Sequence, residues 1–137
     1  MFRTLEISAS GLQAQRTRMD VVAGNIAQAQ TTLNEDGKPE PFQRRIVALA
    51  AQTDGPGQKT GGQGVQAEIE LDTQSPPRKV LDPGHPHADA DGYVSYPNIN
   101  VITEFVNALE ASRAYDANLT AMDVTKDMVE NTFRILA

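Results

Sequence analysis

Both ends of this chain read as long amphipathic helices, and the stretch between them is too polar to give either one a core to lie on. In the first 30 residues Leu5, Leu12, Met19 and Ile26 recur every seven positions, with Ser8, Gln15, Val22 and Ala29 in the companion row, so a narrow stripe runs down one face. The C-terminal stretch repeats the design at greater length. There Ile102, Phe105, Leu109, Ser112, Tyr115, Leu119, Met122, Lys126, Val129, Phe133 and Leu136 follow three- and four-residue steps, with one short step between Ser112 and Tyr115 that overwinds a supercoil locally. A chain with its apolar residues concentrated at the termini is built to pair those termini, with each other or with other chains.

Composition narrows the class. With 39% hydrophobic and 5% aromatic residues and no Trp in 137 residues, the core is thin and there is room for one ordinary domain. A net charge of −6 without a basic stripe argues against DNA or an anionic membrane as the main partner. The absence of Cys excludes disulfides and thiolate metal sites. Residues 1–30 lack the uninterrupted apolar segment of a cleavable secretory signal, and no apolar run approaches the length of a membrane span.

The predicted order is helix, short strands, helix. The first helix covers about Thr4 to Gln30 despite Gly11 and Gly24, each costing about 1 kcal/mol relative to Ala in a helix interior, so it is marginal until packed. Asn34, Asp36-Gly37 and two prolines supply turn chemistry over Thr31–Pro41. Phe42–Ala51 reads as a strand, and Val65, Ala67, Ile69 and Leu71 alternate with polar residues as in a half-buried one. Paired across the glycine-rich loop Gln52–Gly64 they make one β-hairpin, which must rest on a helix or a neighbour because two strands alone are not stable in water. Ser75–Asn100 reads as irregular, holding five of the eight prolines and both histidines. The second helix starts at an Asn100 N-cap with Glu104 in the dipole-favoured first turn, and at about 35 residues it extends about 50 Å. The fold class is thus mainly α with a small β part. Long N- and C-terminal helices pair as a coiled-coil-like domain (1–30 and 99–137), and a β-hairpin with an irregular Pro-rich loop forms a second domain (31–98).

Within the loop Asp82-Pro83-Gly84-His85-Pro86-His87-Ala88-Asp89-Ala90-Asp91-Gly92, three readings compete. His85, His87, Asp89 and Asp91 offer nitrogen and oxygen ligands for a transition metal, but at spacings without a third element to close the shell. A calcium loop starting at His87 puts Asp89, Asp91, Gly92, Ser95 and Asn98 in register, yet lacks the bidentate Glu and an entering helix. The third reading is structural, with Asx turns and prolines fixing the loop path and Gly92 at positive φ. No serine sits in a nucleophile elbow, and the glycine-rich stretch has no Gly-Lys-Ser/Thr and no following helix, so neither a triad nor a phosphate loop is supported. No catalytic residue, cofactor or metal is assigned. A calcium-binding module and a free-standing helical adaptor are the alternatives to a structural subunit.

Three motifs carry a family resemblance. Ser8-Ala-Ser-Gly-Leu12-Gln-Ala-Gln-Arg16-Thr-Arg18-Met-Asp-Val-Val-Ala-Gly-Asn25-Ile26-Ala27 resembles the N-terminal signature of the axial proteins of the bacterial flagellum. Val80–Pro86, Ala88–Val94 and Tyr96–Asn100 are similar to the segment particular to the proximal-rod FlgC family, and Ser112-Arg113-Ala-Tyr115-Asp116-Ala-Asn118 to the shared C-terminal rod and hook motif. The match runs in order along essentially the whole chain. It departs at Gln28 and Gln30, where the family usually has Asn, at Leu81 for Tyr, at His87 for Asp, and at Asp116 for Glu or Gln.

The resemblance implies a structural subunit of the basal-body rod, synthesised in the cytoplasm, exported through the flagellar type III apparatus and assembled with copies of itself and other rod proteins. It predicts no nucleic-acid partner and no direct membrane insertion. The expected intramolecular seam sets Leu5, Leu12, Met19, Val22 and Ile26 against Phe105, Leu109, Leu119, Met122, Val129 and Phe133. Ile7, Val21, Val106, Val124, Met128 and Ile135, off that seam, are expected at subunit interfaces. Arg16, Arg18, Asn25, Arg113, Tyr115 and Asn118 match the family motifs and offer polar groups for register.

Overall fold

A computed structural model describes residues 2–34, 37–52 and 64–136; the loop expected over Gln52–Gly64 and the Asp36-Gly37 turn lie largely outside them. The chain is mainly helical, with two long helices and two small antiparallel sheets. Helix α1 spans Phe2–Ala27 and helix α2 spans Val101–Leu136. Strands β1 (Arg45–Ala51) and β2 (Val65–Leu71) pair from Arg45 opposite Leu71 to Ala51 opposite Val65. Strands β3 (Arg78–Leu81) and β4 (Tyr93–Tyr96) form a second antiparallel pair, which corrects the expectation that Ser75–Asn100 is irregular throughout. Prolines bound both of these strands and four residues are too few for a periodic signal, but Val94 is fully buried, worth about 1.5–3 kcal/mol, and anchors the pair.

The capping chemistry behaves as the sequence suggests. Asn100 Oδ1 accepts the N–H groups of Ile102 (3.0 Å) and Thr103 (3.3 Å), satisfying two donors that α2 leaves open at its start. At the other end α1 stops at Ala27, and Gln28–Gln30 form a turn in which Thr31 Oγ1 donates to Gln28 Oε1 at 2.6 Å.

The helices pack antiparallel, with Gly11 beside Asn118, Arg18 beside Glu110 and Asn25 beside Glu104. The β1–β2 pair lies along α1. Ser10 ties the two together, because its Oγ donates to the Ile7 carbonyl (2.7 Å) and accepts the Val65 N–H (3.0 Å). Gly64 is required at this crossing. Its φ is +141°, and a Cβ there would fall 2.5 Å from Ser10 Oγ.

Among the described residues the buried aliphatic set is Ala14, Val21, Val22, Ala29, Val94 and Ala111, joined by Pro97, with Asn25, Thr32 and Glu104 as buried polar groups. Of the described helices, none is long and apolar enough to cross a membrane.

Candidate functional site

The row of α2 that meets α1 is Glu104, Ala111, Asn118 and Thr125, a heptad of small and polar residues rather than the bulkiest row the sequence offers. On α1 the inner positions are Gly11, Ala14, Val22 and Asn25, and Ala29 is buried in the turn that follows. Gly11 shows why: a Cβ there would sit 3.0 Å from Asn118 Nδ2, so the backbones approach more closely than a larger residue permits.

The expected seam is therefore corrected on α2. Phe105, Leu109 and Leu119 are exposed in the single chain, at 56, 61 and 42%, because small residues one step round the helix allow tighter contact than bulky side chains, and Phe133 is exposed, at 65%, because α2 has by then run past the start of α1. Met122 and Val129 are half-buried, as are Leu5, Leu12, Met19 and Ile26, while Val22 is buried. Of the residues expected to face neighbours, Ile7, Val106, Val124, Met128 and Ile135 are exposed. Val21 is instead buried on the face of α1 covered by the β1–β2 pair, where it sits with Val47 and Leu49.

Where α1, α2 and β1 meet, Glu104 is buried and holds the three together. Arg44 donates to its Oε1 from Nη2 (2.6 Å) and Nε (2.9 Å), and Asn25 Nδ2 donates to its Oε2 at 3.1 Å. Asn25 also pairs with the Arg45 backbone as a strand would, accepting its N–H (3.0 Å) and donating to its carbonyl (2.8 Å). Arg44 reaches on to Asp72 at 3.8 Å, whose own N–H returns to the Arg44 carbonyl at 2.8 Å. The Asp72 carboxyl is held below the ordinary aspartate range, chiefly by the Ser75 hydroxyl; burial, the next largest effect, opposes this, and the N–H groups of Ser75 and Gln74 and the Arg44 charge add to the lowering. Sequence reasoning placed Glu104 only as a favourable charge at a helix start and passed over Arg44 and Asp72. The one signal available was a carboxylate on the inner row of an otherwise apolar or small face.

Of the other motif residues, Arg18 bridges Glu110 at 3.3 Å in a partly exposed pair of small energetic consequence, Arg16 and Arg113 are exposed, Tyr115 is half-buried, and Asn118 lies half-buried on the inner row beside Gly11.

In the 82–92 loop, Asp89 Oδ1 accepts the N–H groups of Asp91 (3.0 Å) and Tyr93 (2.9 Å), and Gly92 has φ +80° beside the Pro83 ring. The loop closes through Asp82 N–H to the Gly92 carbonyl at 2.9 Å, with Gly84 and Pro86 exposed along it. His85 Nδ1 accepts the His87 N–H at 3.1 Å, and His87 Nδ1 pairs with the buried Thr32 hydroxyl at 2.9 Å, joining the loop to the exit of α1. Among the described residues no three His, Asp or Glu side chains converge into a metal-binding group.

Comparison with known proteins accounts for both ends of the chain. Residues 5–32 match the family of flagella basal body rod proteins, and residues 90–135 match the C-terminal family of flagellar basal body rod FlgEFG proteins. The chain is 38% identical to the flagellar basal-body rod protein FlgC of Salmonella typhimurium and 40% identical to that of Yersinia enterocolitica, in each case over 98% of this chain and 97% of the relative. Similarity to the FlgC protein of Bacillus subtilis is 36% over the same shares. These relatives span the helices, both strand pairs and the 82–92 loop alike, so the chain belongs to the FlgC family of flagellar basal-body rod proteins, structural subunits of the flagellum and not enzymes.

Proposed function

We propose that this subunit assembles with copies of itself and with other rod proteins through its terminal helices, after passage through the flagellar type III export apparatus. In this reading residues 1–30 and 99–137 form the inner, axial domain, paired in the manner of a coiled coil, and residues 31–98 form a small outer domain. One observation carries it: the face of α2 turned away from α1 is apolar and bare. Ile102, Phe105, Val106, Leu109, Val124, Met128 and Ile135 are all exposed large apolar residues, a concentration that marks an interaction surface on a chain this thin in core.

The two faces of α2 also differ in period. The inner row Glu104, Ala111, Asn118, Thr125 steps by seven, whereas Ile102, Arg113, Val124 and Ile135 step by eleven, as do Val106, Ala117 and Met128. A seven-residue step favours a left-handed crossing with α1, and an eleven-residue step, at 3.67 residues per turn, suits neighbours that run nearly straight or slightly right-handed. The outer face is thus patterned for helices of a different geometry from the intramolecular partner.

The test is a pair of substitutions in cells that depend on this protein for swimming. Phe133→Asp places a charge on a residue already 65% exposed, leaving the single chain intact, yet it introduces an unpaired carboxylate into any apolar seam between subunits. It is expected to abolish filament assembly. His85→Ala, which removes the hydrogen-bond acceptor of the His87 N–H, is expected to be mild. The reverse ranking would sink assembly through the helices and favour a role for the loop.

A further inference from the structure

The helix pair has an unfilled groove at one end and an unpartnered helix tip at the other, and we propose that the tip of one copy seats in the groove of the next. The inference rests on the rod-subunit reading above and names which surfaces of two copies of this chain meet.

The groove, about 730 Å³, runs along the second half of α1 between that helix, the segment leading into β1, and the far end of β2. Its walls are Val21, Phe42, Ile69 and Leu71, and its floor is Gly24 and Ala27. Ile69 and Leu71 are more than half exposed although they belong to the apolar row of β2, because α1 alone is too narrow to cover both strands. A Cβ built on Gly24 meets nothing within 4 Å, so the floor is open at the point where a helix backbone can come closest.

The complementary element is the end of α2. That helix has 36 residues against 26 in α1, and the antiparallel register sets Gly11 beside Asn118, so its last two turns or so, about 15 Å, run beyond the start of α1. Val124, Met128 and Ile135 form one bare stripe along this end, with Ile135 exposed to 85%. The same register puts the groove beside the start of α2, at the opposite end of the molecule, so a chain cannot fill its own groove.

The charges agree. Asp20, Glu40 and Arg45 line the groove, while Asp127 and Arg134 flank the stripe on one side of α2. Seating the stripe brings one arginine to two carboxylates and one carboxylate to one arginine. A knob at one end and a hole at the other make a heterologous contact, which repeats without closing and gives a polar stack of subunits.

The chain contains no Cys, so a site-specific cross-link has no background. Cells co-expressing a Gly24→Cys copy and an Ile135→Cys copy, both sites having room in the single chain, are expected to yield basal bodies in which the two copies are disulfide-linked to each other, with neither variant linking to itself. Arg134→Asp is expected to cut the fraction of cells bearing filaments at least tenfold, and Asp20→Arg in the same chain to restore most of it. The proposal is overturned if the subunit is present in basal bodies but Gly24→Cys links to itself, to a different rod protein or to nothing, or if the charge reversal is not rescued; the rod reading survives each of these. Absence of the unsubstituted subunit from purified basal bodies overturns both.

Discussion

The two ends of α2 sit in opposite circumstances. Around Glu104 the helix is capped by Asn100, buried against α1 and held by Arg44 and Asn25 through charge-assisted hydrogen bonds. Thirty residues later the same helix has left α1 behind, and Met128, Phe133 and Ile135 lie open to solvent. One end has its partners within the chain, and the other is apolar with none. The difference teaches that this helix is divided between folding and assembly along its length as well as around its circumference.

The sharpest way to break the comparison is at the held end. Glu104→Ala leaves Arg44 and Asn25 without their shared acceptor in a buried corner, and is expected to cost about 3–5 kcal/mol in thermal or denaturant unfolding of the whole chain. A loss under about 1 kcal/mol would mean that the corner is not what fixes α2 to α1. Amide hydrogen exchange sharpens the same contrast without a mutation. Residues 104–111 are expected to be the best protected in α2, and residues 128–135 to open at a free energy near zero in the isolated chain, then to gain protection in assembled rods.

Two glycines of α1 give a smaller, signed test. Gly11→Ala sets a Cβ 3.0 Å from the Asn118 amide and is expected to destabilise, by about 1 kcal/mol after the helix-propensity gain is subtracted. Gly24→Ala meets open space and is expected to stabilise the isolated chain by about 0.5–1 kcal/mol. Equal effects at the two positions would remove the case for close helix approach at Gly11.

The smallest expected effect concerns acid. The Asp72 carboxyl has a lowered pKa in the folded chain, so its contribution is present above the unfolded value, near 4, and is lost as the pH falls through the lower folded value. Asp72→Asn is therefore expected to lower stability at neutrality and to converge on the unsubstituted chain in strong acid, so that the profile below about pH 4 is flatter, read from melting temperature against pH. An unchanged acid limb would show that Asp72 is not coupled to folding.

The elements whose physics is local were legible from the sequence. The α2 start followed from Asn100, β2 from strict alternation between Val65 and Leu71, and the β1–β2 pairing from two adjacent strands that have no other partner. The second strand pair was not legible, since four-residue strands carry no period and prolines bound both of them. The assembly motifs were readable as family motifs, but not which face each would occupy.

What the sequence determined by itself was the kind of molecule: two amphipathic termini, a polar middle and an apolar surplus that one chain cannot bury. Only the tertiary structure decided which of two adjacent rows on α2 turned inward. Hydrophobic content ranks Phe105 and Leu109 above Glu104, Ala111 and Asn118, yet the second set packs on α1 because Gly11 and Ala14 admit only a close, small-residue contact and because Arg44, supplied from the segment just before β1, makes it possible to bury Glu104. Periodicity fixes that a helix has an apolar face, whereas the choice of face depends on steric fit and on partners folded in from elsewhere in the chain.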